Sequence, residues 1–237
     1  MKRLKGLFIE GRLRAAFLCV LVVPGVVLLA GCADARRGGS PFVSTFASVL
    51  PGGGGDVGKQ AAAIPYASVD LSVDGRGGLL ILAETTDELT FWQSSTRETI
   101  VLRDGYPEST RGLKTDLLYS RMGNASASQQ APWETAPADG TTAVDYSVER
   151  GWRDAQGRER AAAGQASFTC AARTESKQLP LTRIDLTRCV ETVAWANGAK
   201  TRSVLWRNPQ TNRIWAGDVA AWPGGLRISW NVARPWW

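Results

Sequence analysis

From Ile64 onward, apolar, β-branched and aromatic residues come in short runs cut by turn residues. The run Tyr66 to Val73 ends at Asp74-Gly75, and Leu79 to Ala83 follows it. Leu89 to Gln93 comes next, then Thr99 to Arg103, closed by Asp104-Gly105. Runs of this length and spacing predict antiparallel strands joined by tight turns. Further on, Val144, Tyr146 and Val148 alternate with polar residues on the way to Trp152. Asp154-Ala155-Gln156-Gly157 reads as a turn into a returning strand through Ala166, Phe168 and Cys170. Thr182 to Trp195, Thr201 to Arg207, Arg213 to Val219 and Leu226 to Val232 extend the series, with Asn197-Gly198 and Asn208-Pro209 as punctuation. The stretch from Asn124 to Thr142, rich in Ala, Ser, Gln, Pro and Gly, reads as a long loop. No fixed-period repeat is present, which disfavours a propeller or solenoid. The pattern predicts an all-β domain over 64–237, a single antiparallel β-sandwich or a barrel-like fold.

Before that domain the pattern changes. Residues 32–63 read as a flexible tether, with Arg36-Arg37-Gly38-Gly39-Ser40 first and Pro51 with Gly52 to Gly55 as a second joint. Between them Phe42, Val43, Phe46, Val49 and Leu50 recur at helical spacing, which allows one short amphipathic helix. Docking of that face on the domain is the simplest reading; a partner or the membrane surface are the others. As a flexible coil the 31 residues after Cys32 would span about 30 Å.

The first 31 residues have the layout of a targeting segment. Lys2, Arg3, Lys5, Arg12 and Arg14 precede an uncharged apolar run from Ala15 to Ala30, against one acid, Glu10. The run is short for a spanning helix, which needs roughly 20 apolar residues, and Pro24 interrupts it. It ends in Leu29-Ala30-Gly31-Cys32, the order of a bacterial lipoprotein signal, so 1–31 is expected to be cleaved and Cys32 to carry lipid. An Asp directly after the cysteine would favour inner-membrane retention; Ala33 stands there, with Asp34 one further on, which points to the outer membrane, on its periplasmic side. The membrane is thus the first partner, reached through the acyl chains.

Charge changes meaning once that segment is removed. The whole chain has a formal charge of +6, but the residues after 31 hold 23 basic and 21 acidic side chains. That balance does not suit a surface tracking nucleic-acid phosphates. Histidine is absent, which removes Ser-His-Asp and Cys-His catalysis and histidine metal sites. No cofactor or metal ligand set emerges. Of four cysteines, Cys19 lies in the leader and Cys32 takes lipid, leaving Cys170 and Cys189. In an oxidising compartment this pair suggests a disulfide, with two buried free thiols as the rival reading.

The candidate contact chemistry is aromatic. All ten tryptophans follow the tether, and most are expected to fill the core. Trp236 and Trp237, at the C-terminal end, are the candidates for contact with glycan or a partner. Asp70, Asp74, Glu84, Asp87, Glu88, Asp145, Glu149, Asp185, Glu191 and Asp218 offer acids for glycoside cleavage, which needs two facing carboxylates. The sequence does not pair them. Arg150, Arg153, Arg158, Glu159 and Arg160 read as a charged, solvated hairpin.

Several short pieces resemble one family. Ile64-Pro65-Tyr66-Ala67-Ser68, the strand Leu79-Leu80-Ile81-Leu82-Ala83 and Trp92 look like the start of the YjbF/GfcB family of capsule polysaccharide lipoproteins. Thr110-Arg111-Gly112-Leu113 is similar to that family's threonine, any residue, glycine, leucine stretch. Trp206, Asn208-Pro209, Ile214-Trp215 and Trp222-Pro223 resemble its closing pattern. The chain departs where the family usually has Arg after the glycine matched by Gly105, for Tyr106-Pro107 stands here. The resemblance implies a non-enzymatic accessory in capsule or exopolysaccharide assembly or export, with an outer-membrane β-barrel and other export components as partners. A periplasmic glycan-binding module using exposed tryptophans is the alternative, and a carboxylate-dependent polysaccharide-modifying enzyme a more distant one.

Overall fold

The computed structural model describes residues 56–124 and 130–237. The leader, Cys32, the amphipathic stretch 42–50 and the glycine joint lie outside the described residues. Twelve strands run β1 (Ser68–Val73), β2 (Arg76–Thr86), β3 (Leu89–Gln93), β4 (Thr99–Arg103), β5 (Tyr106–Arg111), β6 (Asp116–Asn124), β7 (Ala143–Arg153), β8 (Glu159–Gln178), β9 (Arg183–Trp195), β10 (Lys200–Arg207), β11 (Ile214–Ala220) and β12 (Arg227–Arg234). The fold is all-β and barrel-like.

Consecutive strands pair antiparallel except β5 with β6, and β1 pairs with β12, so the meander curls round on itself. One seam remains. β5 and β6 stand at the two ends of the strand order, with no backbone ladder between them among the described residues. Side chains stitch that seam: Thr110 Oγ1 donates to Asp116 Oδ1 at 3.0 Å and accepts from the Leu117 N–H at 2.9 Å. The Gly112 and Leu113 N–H groups also donate to the Asp116 carboxylate.

The two-residue turns follow from backbone sterics. Asp74 and Gly75 have φ of 50° and 75°, and Asp104 and Gly105 have 48° and 86°. Both residues of such a turn must enter the left-handed region, where Gly is free and Asp is tolerated. β3 and β4 occupy the spans the hydrophobic runs predict; β5 and β6, built on the mixed stretch after Gly105, are additions.

Because odd-to-even turns fall at one end and even-to-odd turns at the other, the barrel has two unlike ends. The hairpin end carries the β1–β2, β3–β4 and β5–β6 turns. The terminal end carries the start of β1, the end of β12 and the β4–β5 turn. Period-two alternation sends Val69, Leu71, Tyr146, Val148, Phe168, Val193, Leu205, Ile228, Trp230 and Val232 into one continuous core. Trp230 fits only because its cross-strand partner is Gly217: a Cβ there would lie 2.1 Å from the indole ring. Gly217→Ala is expected to destabilise the domain by about 1–3 kcal/mol through overpacking, read as a lower urea midpoint.

Two segments depart from the sequence expectation. Residues at the end of the predicted tether form α1 (Val57–Ala62), capped by Asp56, whose carboxylate accepts the Lys59 N–H at 3.3 Å. Its buried Ala61 packs with Ile64, Leu79 and Ala233, so folded structure reaches back to Asp56. The predicted long loop contains α2 (Pro132–Thr135), with Pro at the helix start and Trp133 buried in the core.

Cys170 and Cys189 face each other across β8 and β9, both fully buried, and are joined by a disulfide. The ladder slips beyond them and resumes at Thr174 and Thr187. The extended hairpin then lies over the barrel's outside. Trp206 Nε1 donates to Glu175 Oε1 at 2.7 Å, and Lys177 Nζ sits 3.7 Å above the same indole. The hairpin's Pro180 abuts α1, since a Cβ on Gly58 would come within 2.9 Å of its carbonyl oxygen.

Candidate functional site

The alternation that builds the core also sends charge into it. Tyr146 and Arg150 lie on the inward face of β7, in step with Val148, and Glu191 faces inward from β9. Tyr106 enters at the start of β5, straight after the Asp104-Gly105 turn. Arg150 is 2% exposed and Glu191 1%. Tyr106 Oη donates to the Glu191 carboxylate, 2.9 and 3.1 Å from its two oxygens, and Tyr146 Oη donates to Oε1 at 2.6 Å. Arg150 Nη2 donates to Tyr106 Oη at 2.9 Å and stands 3.9 Å from Glu191 Oε1. Arg150 Nη1 reaches the Arg121 carbonyl at 3.4 Å.

The carboxylate, both phenols and both terminal nitrogens of Arg150 are engaged by another member or by backbone, which is the condition for holding charge in a low-dielectric interior. Both phenols are held well above their ordinary range, by burial first and then by the Glu191 charge. Burial pulls on the Arg150 guanidinium, yet Tyr106, Glu191 and Tyr146 keep it above its usual value. The phenols therefore remain donors. Because their folded values lie above the unfolded value of about 10, their contribution is complete below pH 10 and is lost as pH rises past it. Urea midpoints taken from pH 9 to 11 are expected to fall more steeply for the native chain than for the Tyr106→Phe/Tyr146→Phe variant.

The cluster is tied to the terminal end. The Tyr106 ring stacks on Trp133, with centroids 5.1 Å apart and planes at 7°. Arg207, itself buried, donates from Nη1 to the carbonyls of Trp133 and Ala136 and so fixes α2. Trp236 meets Trp92 edge-on at 4.9 Å, and Trp237 meets Trp215 at 5.2 Å. The Arg213 guanidinium lies 5.0 Å from the Trp237 ring centroid.

Of the two sequence-marked tryptophans, Trp236 is thus half-buried against the core, whereas Trp237 remains 39% exposed. Among the described residues Trp237 is the one exposed tryptophan. Of the ten acids considered for glycoside cleavage, Glu191 alone is buried; the other nine are exposed or half-buried. The hairpin reading of Arg150 is corrected: Arg153, Arg158, Glu159 and Arg160 are solvated or half-solvated, but Arg150 belongs to the interior. The signal was present, for continuing Val144, Tyr146, Val148 by two residues lands on Arg150. Tyr106 offered no comparable signal, because a residue directly after a turn has no established phase. Among the described residues no group of acids or cysteines is placed to hold a metal, and no helix is long and apolar enough to cross a membrane.

Comparison with known proteins places this geometry. Residues 58–218, from α1 into β11, match the family model for the group 4 capsule polysaccharide lipoprotein gfcB, YjbF. The crystal structure of the hypothetical lipoprotein YmcC from Escherichia coli (K12) aligns with a TM-score of 0.67 at 17% sequence identity, covering 86% of this chain and 96% of that one. At that identity the likeness shows a shared fold. No curated protein matches the chain.

Proposed function

Since the chain belongs to the YjbF family of group 4 capsule polysaccharide lipoproteins, we propose that it is a non-enzymatic accessory in capsule or exopolysaccharide assembly and export. In this reading residues 1–31 are a signal peptide, and lipid on Cys32 holds the domain at the periplasmic face of the outer membrane. The residues between Cys32 and α1 are the tether. An outer-membrane β-barrel and other export components are the partners. The observation that carries the reading is the internal satisfaction of the buried Glu191 carboxylate. Glu191 is occupied by two tyrosines and faces Arg150, so it supports packing rather than acid or base chemistry. What remains for partners is the outer surface and the two barrel ends. A strain lacking the gene should lose surface polysaccharide under capsule-inducing conditions; normal surface polysaccharide would oppose the reading.

One observation favours direct glycan contact as a second reading. Trp237 offers an exposed apolar ring with the Arg213 guanidinium beside it, a pairing suited to an acidic sugar. Titration with purified polysaccharide should quench tryptophan fluorescence in the native chain and much less in Trp237→Ala. No change at millimolar glycan would retire this contact.

A further inference from the structure

The barrel wall is interrupted at its hairpin end. β2 begins at Arg76, but its ladder with β3 begins only at the Ile81–Gln93 pair, so Arg76 to Leu80 pair with β1 alone. The β3–β4 turn closes on itself there, the Ser94 N–H donating to the Glu98 carbonyl at 3.0 Å. Between β2, this turn and the β5–β6 turn lies a cavity of about 710 Å³. Its walls include Leu71, Leu80, Ile100 and Leu226, all members of the buried core, with Val73 and Leu113 partly exposed beside them. That volume is within the range of about 300–1,000 Å³ usual for small-molecule sites.

The polar lining is asymmetric in what it leaves uncommitted. Of its acids, Asp74 accepts the Arg227 N–H at 2.8 Å, and Glu98 accepts from the hydroxyls of Ser94 and Thr96. Its cations, Arg76 and Lys114, are exposed and have no ion-pair or hydrogen-bond partner among the described residues. An apolar interior beside two uncompensated cations complements a molecule that is apolar at one end and anionic at the other. Burying alkyl methylenes away from water is favourable, so the chain supplies affinity and the cations orient the head.

We propose that this cavity binds a single-chain amphiphile with a phosphate or carboxylate headgroup. The alkyl chain lies among Leu71, Leu80, Ile100 and Leu226, and the headgroup meets Arg76 and Lys114. The site is separate from the Tyr106–Arg150–Glu191 cluster and does not rest on the capsule reading.

The test uses the full chain in phosphatidylcholine nanodiscs and a photoactivatable diazirine derivative of lauric acid, with labelled peptides mapped by mass spectrometry. Labelling should concentrate in 71–80 and 98–115. Lauric acid and lysophosphatidic acid should both compete, dodecanol about tenfold less well, and inorganic phosphate not at all. Arg76→Glu/Lys114→Glu, changed at two exposed positions, should cut labelling about tenfold with the urea midpoint unchanged. Labelling spread over the outer surface, or indifferent to the charge reversal, would overturn the proposal. So would competition by phosphate equal to that of the amphiphiles, which would mean an anion site only. Labelling that appears only in Phe42→Asp/Phe46→Asp would also overturn it, by assigning the cavity to the chain's own segment.

Discussion

Arg150→Met is expected to destabilise the domain by about 3–5 kcal/mol, because it leaves the Glu191 charge buried without its cation. Methionine approximates the arginine stem, so little of the effect comes from lost packing. The tyrosines still donate to Glu191, but a neutral donor does not offset a buried charge as a guanidinium does. With urea slopes of about 1–3 kcal/mol per molar, the midpoint should fall by about 1 M or more. Adding Glu191→Leu removes the stranded charge, and the double variant should recover part of the loss; the orphaned Tyr106 and Tyr146 hydroxyls set the remainder. A single variant as stable as the native chain would show that the cluster contributes little to holding the barrel.

Loss of the disulfide is the second large effect. Cys170 and Cys189 are 19 residues apart, and cross-linking a loop of that size stabilises by about 3 kcal/mol in the chain-entropy model. Cys170→Ala/Cys189→Ala also removes two sulfurs from fully buried positions, so the variant should lose at least as much. The β8–β9 extension, which begins just beyond the bridge, should loosen first. Hydrogen exchange should then rise near Thr174, Thr187 and Trp206 before it rises in β3 and β4. Equal stability of the native chain with and without reductant in urea would contradict this expectation.

The strands were legible in the sequence wherever alternation and turn chemistry agreed. β3, β4 and β9 to β12 fall close to their hydrophobic runs, because each buries one face and all but β3, which a Ser-Ser-Thr turn ends, are followed by Gly, Asn, Asp or Pro. β5 and β6 were not legible. Tyr106 to Arg111 includes Pro107 and two ions' worth of polar side chains, and its place at the seam comes from Thr110 and Asp116 rather than from a ladder. α2 was hidden because its four residues gain their stability from Trp133 in the core and from Arg207, neither visible locally. The choice between sandwich and barrel also lay beyond local pattern. It depends on β1 pairing with β12, a contact spanning more than 150 residues.

The interior cluster was half legible. Arg150 and Tyr146 share the phase of Val148, so the strand period alone sends both inward. What phase does not give is the partner: Glu191 reaches them from β9 across the β8 register, and Tyr106 joins from β5, at the other end of the strand order, only because the sheet curls closed. The tryptophans show the same division. Their number announces a large aromatic core, but only the fold separates Trp236, half-buried on Trp92, from Trp237, which keeps an exposed face.

We propose that a lipid-anchored, non-enzymatic domain serves capsule or exopolysaccharide export, and that anchoring is part of that role. The most direct test is surface polysaccharide in a deletion strain carrying Cys32→Ala. A folded chain in the soluble periplasmic fraction is expected, with surface polysaccharide still at the deletion level. Full restoration of surface polysaccharide by that unanchored chain would contradict it.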